Sequence, residues 1–340
     1  MNTGISSNID IYSTSVEYRK KLFNRARLLA SVEHGAFPEE SESYYYDWIS
    51  GERQLYEVRA AEFSRYSSFA EGKPILNNKL GISSPRIFDM ACSSLVTSRL
   101  IELLAMEDVL LSKMQNMTVP FFNKLHQTMY FDIFPWCGKI RKREIKVAEA
   151  LIEKQEIFYM KHGLIESRLD FILKVLNNRQ YAKRPVYERD ESEESRITKR
   201  ISYRNDVIRD CIFLTQELSE MMYCRPYYVG NLNVLIFYLI MYGKIKELPI
   251  TLKGIKGYMD DKYLQRCFLL STFIMYQMKT EQRKEETVPE EMRFLANLLY
   301  CMGWEDLHDS ENEDAKFADK EENKSRIKML SGKLFDGDDE

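Results

Sequence analysis

Residues that interrupt helices are scarce in this sequence. Its 340 residues include only 14 glycines and 9 prolines, and both types are unfavourable inside helices. Hydrophobic residues make up 44% of the chain and charged residues 30%, so a sizeable core can be buried. The low glycine and proline content, together with abundant Leu, Ile, Met, Glu and Lys, predicts an all-α protein of one large or two modest domains.

Long hydrophobic runs are also lacking. The most apolar stretch, Val234–Tyr242, is far too short to span a bilayer, which takes about 20 apolar residues. Residues 1–21 contain no apolar core behind a basic stretch, so they do not resemble a secretory signal. We therefore expect no membrane span. The expected location is the cytoplasm, or a host cell reached by export without a cleaved signal.

Paired cysteines and clustered metal ligands are absent from the sequence. None of the cysteines forms a Cys-x-x-Cys pair, and most lie in apolar segments, which predicts buried free thiols in a reducing compartment. No zinc-ligand spacing occurs, and the 4 histidines lie apart, so we predict no metal site. The cysteines are Cys92, Cys137, Cys211, Cys224, Cys267 and Cys301.

A strong net charge is lacking as well, since the formal net charge is -3. Residues 305–340 contain 13 acidic and 6 basic residues, so the rest of the chain is only mildly positive. This balance is too weak for a nucleic-acid footprint, and we predict no nucleic-acid partner. The charge pattern and the turn-rich stretch 73–85 predict an N-terminal extension (1–85), a helical domain (86–304) and a disordered acidic tail (305–340).

Apolar residues at helical spacing predict most of the secondary structure. Two stretches lack that period. Residues 39–46 are aromatic and acidic and could be a loop or an edge surface, whereas residues 183–200 are mostly charged and are predicted to be a solvated loop. Helices are predicted at residues 14–33, 87–117 (one or two helices), 119–131, 157–177, 202–223, 232–242, 263–278 and 290–301.

The segment Arg225–Asn231 joins two of these predicted helices and contains the pair Gly230-Asn231. Glycine allows the backbone to curl and to approach a ligand closely. The free backbone N–H groups and the positive dipole at the start of the second helix form a ready anion site. The same Gly-Asn pair also makes an ordinary turn between helices. By itself it does not distinguish an anion site from such a turn.

A second segment, residues 125–141, has the sequence LHQTMYFDIFPWCGKIR. It resembles the Fic (Fic/Doc, or fido) family, in which a helix runs into a Tyr-Pro-Trp-Ala-Gly-x-x-Arg segment. The resemblance covers residues 118–267, and residues 217–231 resemble the helix and loop of the family's active-site motif. It implies a Fic-type helical bundle with a small β-hairpin flap near residues 143–153. The residues that match in register are Leu125, His126, Met129, Tyr130, Asp132, Phe134, Pro135, Trp136, Gly138 and Arg141.

The family motif is H-P-F-x-[D/E]-G-N-G-R-x-x-R. Members of the family typically transfer AMP from ATP, with magnesium, to a Ser, Thr or Tyr hydroxyl of a target protein. The resemblance assigns the role of general base to the histidine and metal binding to the acidic residue. It assigns phosphate binding to the Gly-Asn-Gly backbone and to the arginines.

This chain departs from the motif at most of the reactive positions. Arg225 stands in the place of the histidine, and a guanidinium cannot act as a general base at physiological pH. Val229 replaces the acidic residue and cannot bind magnesium. The retained residues are Pro226, Gly230 and Asn231, and the second glycine and the two arginines are replaced by Leu232, Asn233 and Ile236.

Three weaker signals are better explained by structure or by chance. His126 could replace the missing base, but the matching histidine of the family lies on a packing helix. Many family members carry an inhibitory helix with the pattern Ser/Thr-x-x-x-Glu-Gly/Asn. Ser98–Glu102 fits only its first part, and Ser31–Gly35 has the wrong spacing, so we interpret both as chance matches.

The loss of the base, the metal ligand and both arginines predicts a protein that does not transfer AMP. We predict a pseudoenzyme of the Fic fold that binds another protein, as a regulator or a bacterial effector. The alternative is a divergent nucleotidyl- or phosphate-group transferase with a different donor or base, and only this alternative requires ATP with magnesium. The candidate anion- or nucleotide-binding residues are Arg225, Gly230, Asn231 and Asn233.

Overall fold

The computed structural model describes residues 15–114, 117–152, 155–183 and 185–248. Within them the chain is helical apart from one β-hairpin, which confirms the predicted all-α class with a small hairpin. The predicted helices at 263–278 and 290–301 and the acidic tail lie outside the described residues. The elements are α1 (Val16–His34), α2 (Glu39–Ser50), α3 (Leu55–Ser67), α4 (Pro85–Ala105), α5 (Glu107–Met114), α6 (Val119–Tyr130), β1 (Lys146–Ile152), β2 (Gln155–Phe158), α7 (Ile165–Asn178), α8 (Glu193–Cys224) and α9 (Asn231–Ile245), with short 3-10 helices at Ile75–Asn77 and His162–Leu164.

The described residues form two compact units. The first unit runs to Lys139 and includes Val229–Phe237. The second comprises Ile140–Tyr228 and resumes at Tyr238. The domain boundary predicted near residue 85 is not one of these divisions, and it stays a prediction.

Helices α1 and α4 form the centre of the first unit. α1 follows Ser15, whose hydroxyl accepts the Tyr18 N–H at 3.2 Å, and it ends before Gly35, where φ is +75°. Its side chains Leu22 and Leu29 are buried. α4 is buried over most of its surface and packs against α1, α3 and α6, so both helices supply the core as their apolar patterns predicted.

Residues 39–46 are helical, so the expectation of a loop or an edge surface is wrong. They belong to α2, whose buried residues Ser41, Tyr45 and Trp48 recur at helical spacing. The Tyr45 hydroxyl donates to the Ser94 carbonyl of α4 at 2.7 Å. The aromatic residues of α2 are therefore divided between the core and the surface, and a helical period is present once tyrosine and tryptophan are counted as apolar.

The second unit contains the predicted β-hairpin. β1 and β2 pair antiparallel, with Ile152 opposite Gln155, and a register irregularity lies farther from the turn. Because β2 takes up Gln155–Phe158, α7 begins at Ile165 and not near residue 157 as predicted. α7 packs against α8 in this unit.

α8 begins at Glu193, so the last part of the predicted 183–200 loop is helical. Its start is fixed by Ser192, whose hydroxyl accepts the Ser195 N–H at 3.3 Å. Glu193 and Glu194 lie in the first turn, where the positive end of the helix dipole favours acidic side chains. Exposed, charged residues give no apolar period, which is why periodicity did not find this part of the helix.

α9 is apolar on all faces, as predicted for residues 232–242, and its residues up to Gly243 are buried. Such a helix packs on every side instead of facing solvent. In the ranges that the structure describes, no helix is both long and apolar enough to cross a membrane.

Candidate functional site

The turn before α9 presents a row of backbone N–H groups to an anion. Gly230 has a φ of +88°, and α9 begins at Asn231. The Glu33 carboxylate accepts hydrogen bonds from three of these groups, Gly230 at 2.6 Å, Leu232 at 3.0 Å and Asn233 at 3.2 Å. The anion site is therefore formed, and the anion in it is a side chain of the same unit.

Glu33 is well suited to this position. Hydrogen bonds from a backbone N–H to a carboxylate are about twice as strong as neutral ones, and the positive end of the α9 dipole adds to them. Glu33 is also the site residue that sequence reasoning missed. Its only signal was the stretch Ser31–Gly35, which we interpreted as a chance match because its spacing differs from the inhibitory pattern.

Gly230 is required by the fold itself. Its positive φ is a conformation that residues with a side chain rarely adopt. In addition, a Cβ at this position would lie 2.3 Å from Cε2 of Tyr130, where no side chain fits. Both constraints act without any ligand, so the presence of this glycine does not by itself indicate nucleotide binding.

The side chain of Asn233 is part of the core of the first unit. Its Nδ2 donates to the Leu29 carbonyl at 2.6 Å, and its Oδ1 accepts the Tyr130 hydroxyl at 2.6 Å. Because the Tyr130 proton goes to Asn233, the Nε2 of His34 donates to the Tyr130 oxygen at 2.7 Å. Burial lowers the pKa of His34. Because the Asn233 side chain is engaged in these bonds and glycine has none, Asn233 and Gly230 meet an anion only through their backbone N–H groups. Asn231 is buried as well.

His126 joins the segment after α6 to the turn before α9. Its Nδ1 accepts the Gly138 N–H at 2.8 Å, so its Nε2 donates to the Val229 carbonyl at 2.9 Å and the ring is neutral. Burial lowers the pKa of His126 to about 3. The ring also stacks with Tyr130 and with Trp136. Both ring nitrogens are engaged in these two hydrogen bonds, so neither is available to take a proton from a bound hydroxyl.

The other matching residues of the first unit shape the turn after α6. Trp136 donates from Nε1 to the Leu76 carbonyl at 2.9 Å. Gly138 has a φ of +74°, and a Cβ there would lie 2.9 Å from the Asn123 carbonyl oxygen. Pro135 is exposed in the same turn. Trp136 and Gly138 are therefore explained by a hydrogen bond and by close packing, and nothing in the structure explains Pro135.

In the second unit, the buried Arg141 side chain is hydrogen-bonded to several backbone carbonyls. Its side chain donates to the carbonyls of Arg225 at 2.8 Å, Arg143 at 2.7 Å, Met160, and Cys224 at 3.4 Å. Burial lowers the pKa of Arg141. The planar fork of donors suits several carbonyls at fixed angles, so this arginine holds the segment before the hairpin against the end of α8.

Replacing Arg141 with lysine should destabilise the second unit by about 2–3 kcal/mol, because an ammonium group cannot reach all of these carbonyls and leaves buried acceptors unpaired. Urea denaturation measures this loss. The matched control is Arg143→Lys, since the Arg143 side chain is exposed and should change stability by no more than about 0.5 kcal/mol. Equal effects of the two replacements would show that the hydrogen bonds of Arg141 to these carbonyls do not stabilise the second unit.

Arg225, the residue in the place of the family's histidine, ends α8 in a left-handed conformation with φ of 39°. Its Nη1 donates to the Tyr159 hydroxyl at 2.6 Å, and its guanidinium lies 4.5 Å from the centre of the same ring. Within the described part of the chain, no carboxylate forms an ion pair with it. The neighbouring Pro226 accepts the Arg141 N–H at 2.8 Å through its carbonyl, so this end of the loop is held by backbone contacts.

Metal binding was not predicted from the sequence. Among the residues that the structure describes, no group of three or more His, Cys, Asp or Glu side chains is placed to hold a metal ion. Val229, at the position of the family's metal-binding acid, has no side-chain oxygen. The absence of a metal site stays a prediction.

Comparison with known proteins gives two similar structures. No protein-family model and no curated protein matches this sequence. One structure is the N-terminal Fic domain of Bep8, a VirB-translocated effector protein from Bartonella sp. 1-1C, with 16% identity and a TM-score of 0.41, covering 67% of this chain and 92% of the other. The second is the N-terminal Fic domain of a VirB-translocated effector from Bartonella sp. AR 15-3, with 16% identity and a TM-score of 0.38, covering 68% and 89%. Similarity at this level does not establish a family.

Proposed function

We propose that this chain is a Fic-fold protein that does not transfer AMP and that acts by binding another protein, as a regulator or an effector. The observation that carries the proposal is the Glu33 carboxylate in the turn before α9, with its three bonds to backbone N–H groups. The resemblance of residues 125–141 to the Fic family is the basis for the proposed fold. The replacement of the reactive motif residues is the basis for the proposed loss of AMP transfer.

A nucleotide phosphate would have to displace Glu33 from this turn. The carboxylate is attached to the same folded unit, so its effective concentration at the turn is far above that of a dissolved nucleotide. The motif arginines that would attract a phosphate are replaced by Asn233 and Ile236. Val229 also provides no ligand for the magnesium that accompanies ATP, so nothing offsets the displacement of the carboxylate.

Calorimetry with the purified chain tests the loss of nucleotide binding. ATP, GTP and a CDP-alcohol are titrated with and without magnesium, and we expect no binding in any of these experiments. A parallel assay with ATP labelled on its α-phosphate should show no transfer of label to proteins of a cell extract. Transfer that is lost in the Asn231→Ala variant would contradict the proposal, because it would show that the turn supports the reaction.

Replacing Glu33 with alanine should destabilise the chain by about 3 kcal/mol, because three charge-assisted bonds are lost and buried N–H groups are left without an acceptor. Glu33→Gln should cost less, about 2 kcal/mol, since its amide oxygen still accepts a hydrogen bond. Urea denaturation of the three proteins measures both values.

A small carboxylate provides the control for this interpretation. Acetate added at constant ionic strength should raise the urea midpoint of Glu33→Ala and leave that of the wild-type chain unchanged, because only the variant has free N–H groups at the turn. If acetate and chloride act equally on the variant, Glu33 stabilises the chain by packing and not as the anion of the turn.

Protein binding is supported by the hairpin. The sheet that the structure describes has two strands, so the outer edge of β2 has no strand beside it within the described residues. Such an edge takes up an extended peptide by strand addition, in which backbone hydrogen bonds supply the affinity.

The divergent transferase remains the second candidate because of Arg225. Its guanidinium stacks on Tyr159, and no described carboxylate forms an ion pair with it, so an added anion could balance its charge. This candidate predicts that a nucleotide binds in the calorimetry above and that binding weakens in Arg225→Ala. Arg225→Lys keeps the charge and serves as its control.

A further inference from the structure

We propose that an apolar surface with a basic rim, formed by the loop 73–82 and the turn 131–139 of the first unit, binds an acidic segment of a partner protein. We call it the Leu76 surface. The inference rests on the protein-binding function proposed above and names where binding occurs and what the partner offers. Its evidence is a strained loop that presents apolar side chains to solvent among exposed lysines.

The loop holds two successive residues in the left-handed conformation. Leu76 has a φ of 50° and Asn77 a φ of 55°. Asparagine tolerates this region, but leucine is rarely found there because its Cβ approaches the following carbonyl oxygen. The Leu76 side chain is 42% exposed, so the strain is not compensated by full burial. Strained residues of this kind cluster at functional sites.

The conformation is rigidly held. The Asn78 side chain, only 5% exposed, donates to the carbonyls of Ile75 and Ile82 and accepts the Ile82 N–H. The Leu76 carbonyl accepts the Trp136 Nε1–H at 2.9 Å. Because the loop is already fixed in one conformation, a partner that binds it pays little ordering entropy.

A second apolar side chain lies beside the loop. Phe131, just after α6, is 46% exposed. Lys79 connects it to the loop: its backbone N–H donates to the Ile133 carbonyl at 2.8 Å, and its Nζ lies 4.4 Å from the centre of the Phe131 ring. Leu76 and Phe131 therefore belong to one surface, and two large exposed side chains on a rigid support are suitable anchors for a protein interface.

The charge around these anchors is positive. The acidic residue of the turn, Asp132, is bound by Arg99 through two hydrogen bonds of 2.7 Å and 2.9 Å, so it does not balance the lysines. Glu71 is exposed two residues before Lys73 and offsets one positive charge, which leaves the exposed lysines of the two segments in excess. The exposed cations of the loop 73–82 and the turn 131–139 are Lys73, Lys79 and Lys139, and Lys79 is the one that contacts Phe131. An acidic partner complements such a rim and is steered towards it.

This charge also argues against two other occupants. A second copy of the chain would bring lysines against lysines in a symmetric contact, because both sides of such an interface are the same patch. A nucleic acid is bound through many phosphate contacts, and three lysines around apolar anchors provide too few. An acidic protein segment that carries large apolar side chains fits both features.

Selection from a display library of short random peptides tests the proposal with the full chain as the target. We expect the enriched peptides to contain several acidic residues and at least one leucine or aromatic residue. The best peptide, synthesised, should bind the Leu76→Asn variant about tenfold more weakly or worse, as expected for an anchor residue. Lys79→Glu should also weaken binding and reduce its dependence on salt.

Stability separates a binding role from a structural one. Leu76→Asn should leave the urea midpoint unchanged or raise it, since asparagine tolerates the left-handed conformation, although the same variant loses the peptide. The matched controls are Tyr56→Ala, which removes another exposed apolar side chain at 57% exposure, and Lys20→Glu, which removes another exposed lysine. Both should bind the peptide as the wild-type chain does.

Several results would overturn the Leu76 surface. In the selection, these are enriched peptides without acidic residues, or no enrichment at all. In the binding measurements, they are equal affinity of the peptide for the wild-type chain and for Leu76→Asn, or a duplex DNA probe that binds as tightly as the peptide. A dimer of the chain that Leu76→Asn dissociates would also overturn it. Peptides that bind equally to wild type and Leu76→Asn would leave protein binding intact and place it elsewhere. Transfer of AMP in the labelling assay would instead overturn the proposed function itself.

Discussion

Replacing Gly230 with alanine should destabilise the chain by about 2–5 kcal/mol, the largest loss that we expect from any single added carbon atom. The left-handed backbone costs about 1–2 kcal/mol for a residue with a Cβ, and overpacking of a filled core adds about 1–3 kcal/mol. The added Cβ would lie 2.3 Å from the Tyr130 ring. That ring is held by Asn233 and His34, so it has no easy way to move.

Two other glycines separate the two causes of this loss. Gly35 also has a positive φ, +75°, with a ψ of -164° that is essentially restricted to glycine, but a Cβ there would meet nothing within 4 Å, so Gly35→Ala should cost only the conformational part, about 1–3 kcal/mol. Gly163 has open space and no positive φ, and Gly163→Ala should be neutral or slightly stabilising. The urea midpoint should therefore be highest for Gly163→Ala, lower for Gly35→Ala and lowest for Gly230→Ala. A Gly230 variant no worse than the Gly35 variant would show that Tyr130 yields and that the turn is not tightly packed.

The helices that the sequence predicted well are those whose burial follows a local period. α1, α4, α6 and α9 each carry apolar residues at helical spacing or on all faces, and their bounds agree with the predictions within a few residues. The miss at the start of α8 has the opposite character. The first part of α8 is exposed and charged, so its helical state depends on the Ser192 cap and on propensity, neither of which produces an apolar pattern.

Only part of the candidate site could be predicted from the sequence. The turn at Gly230 could be predicted because a glycine followed by an apolar helix is a local signal. The group that fills the turn could not, because Glu33 and Gly230 are 197 residues apart in the chain. A glutamate at the end of an amphipathic helix has many possible partners, and only the tertiary fold brings it to this one.

Lowering the pH should destabilise the chain because His126 is buried in its neutral form. This is the second of the two largest effects that we expect. Burial lowers the pKa of His126 from its usual value of 6.5 to about 3. In the unfolded chain the imidazole takes up a proton as the pH falls below 6.5, whereas in the folded chain it does so only near pH 3. The unfolded state therefore binds more protons over this window, and stability falls with pH by up to about 1.4 kcal/mol per pH unit. The total loss at pH 3 is about 4 kcal/mol, and His34, whose pKa is also lowered by burial, adds to it.

His126→Gln isolates this contribution. A glutamine amide can accept the Gly138 N–H and donate to the Val229 carbonyl, as the imidazole does, but it does not titrate. The free energy of unfolding, measured in urea between pH 6 and pH 4, should fall less steeply for the variant, by about 1.4 kcal/mol per pH unit. The carboxylates act equally on both proteins, so they cancel in the difference. Parallel pH dependences, or a charged His126 imidazole in the nitrogen NMR spectrum of the folded chain at pH 5, would show that this residue is not the neutral link between the Gly138 turn and the start of α9.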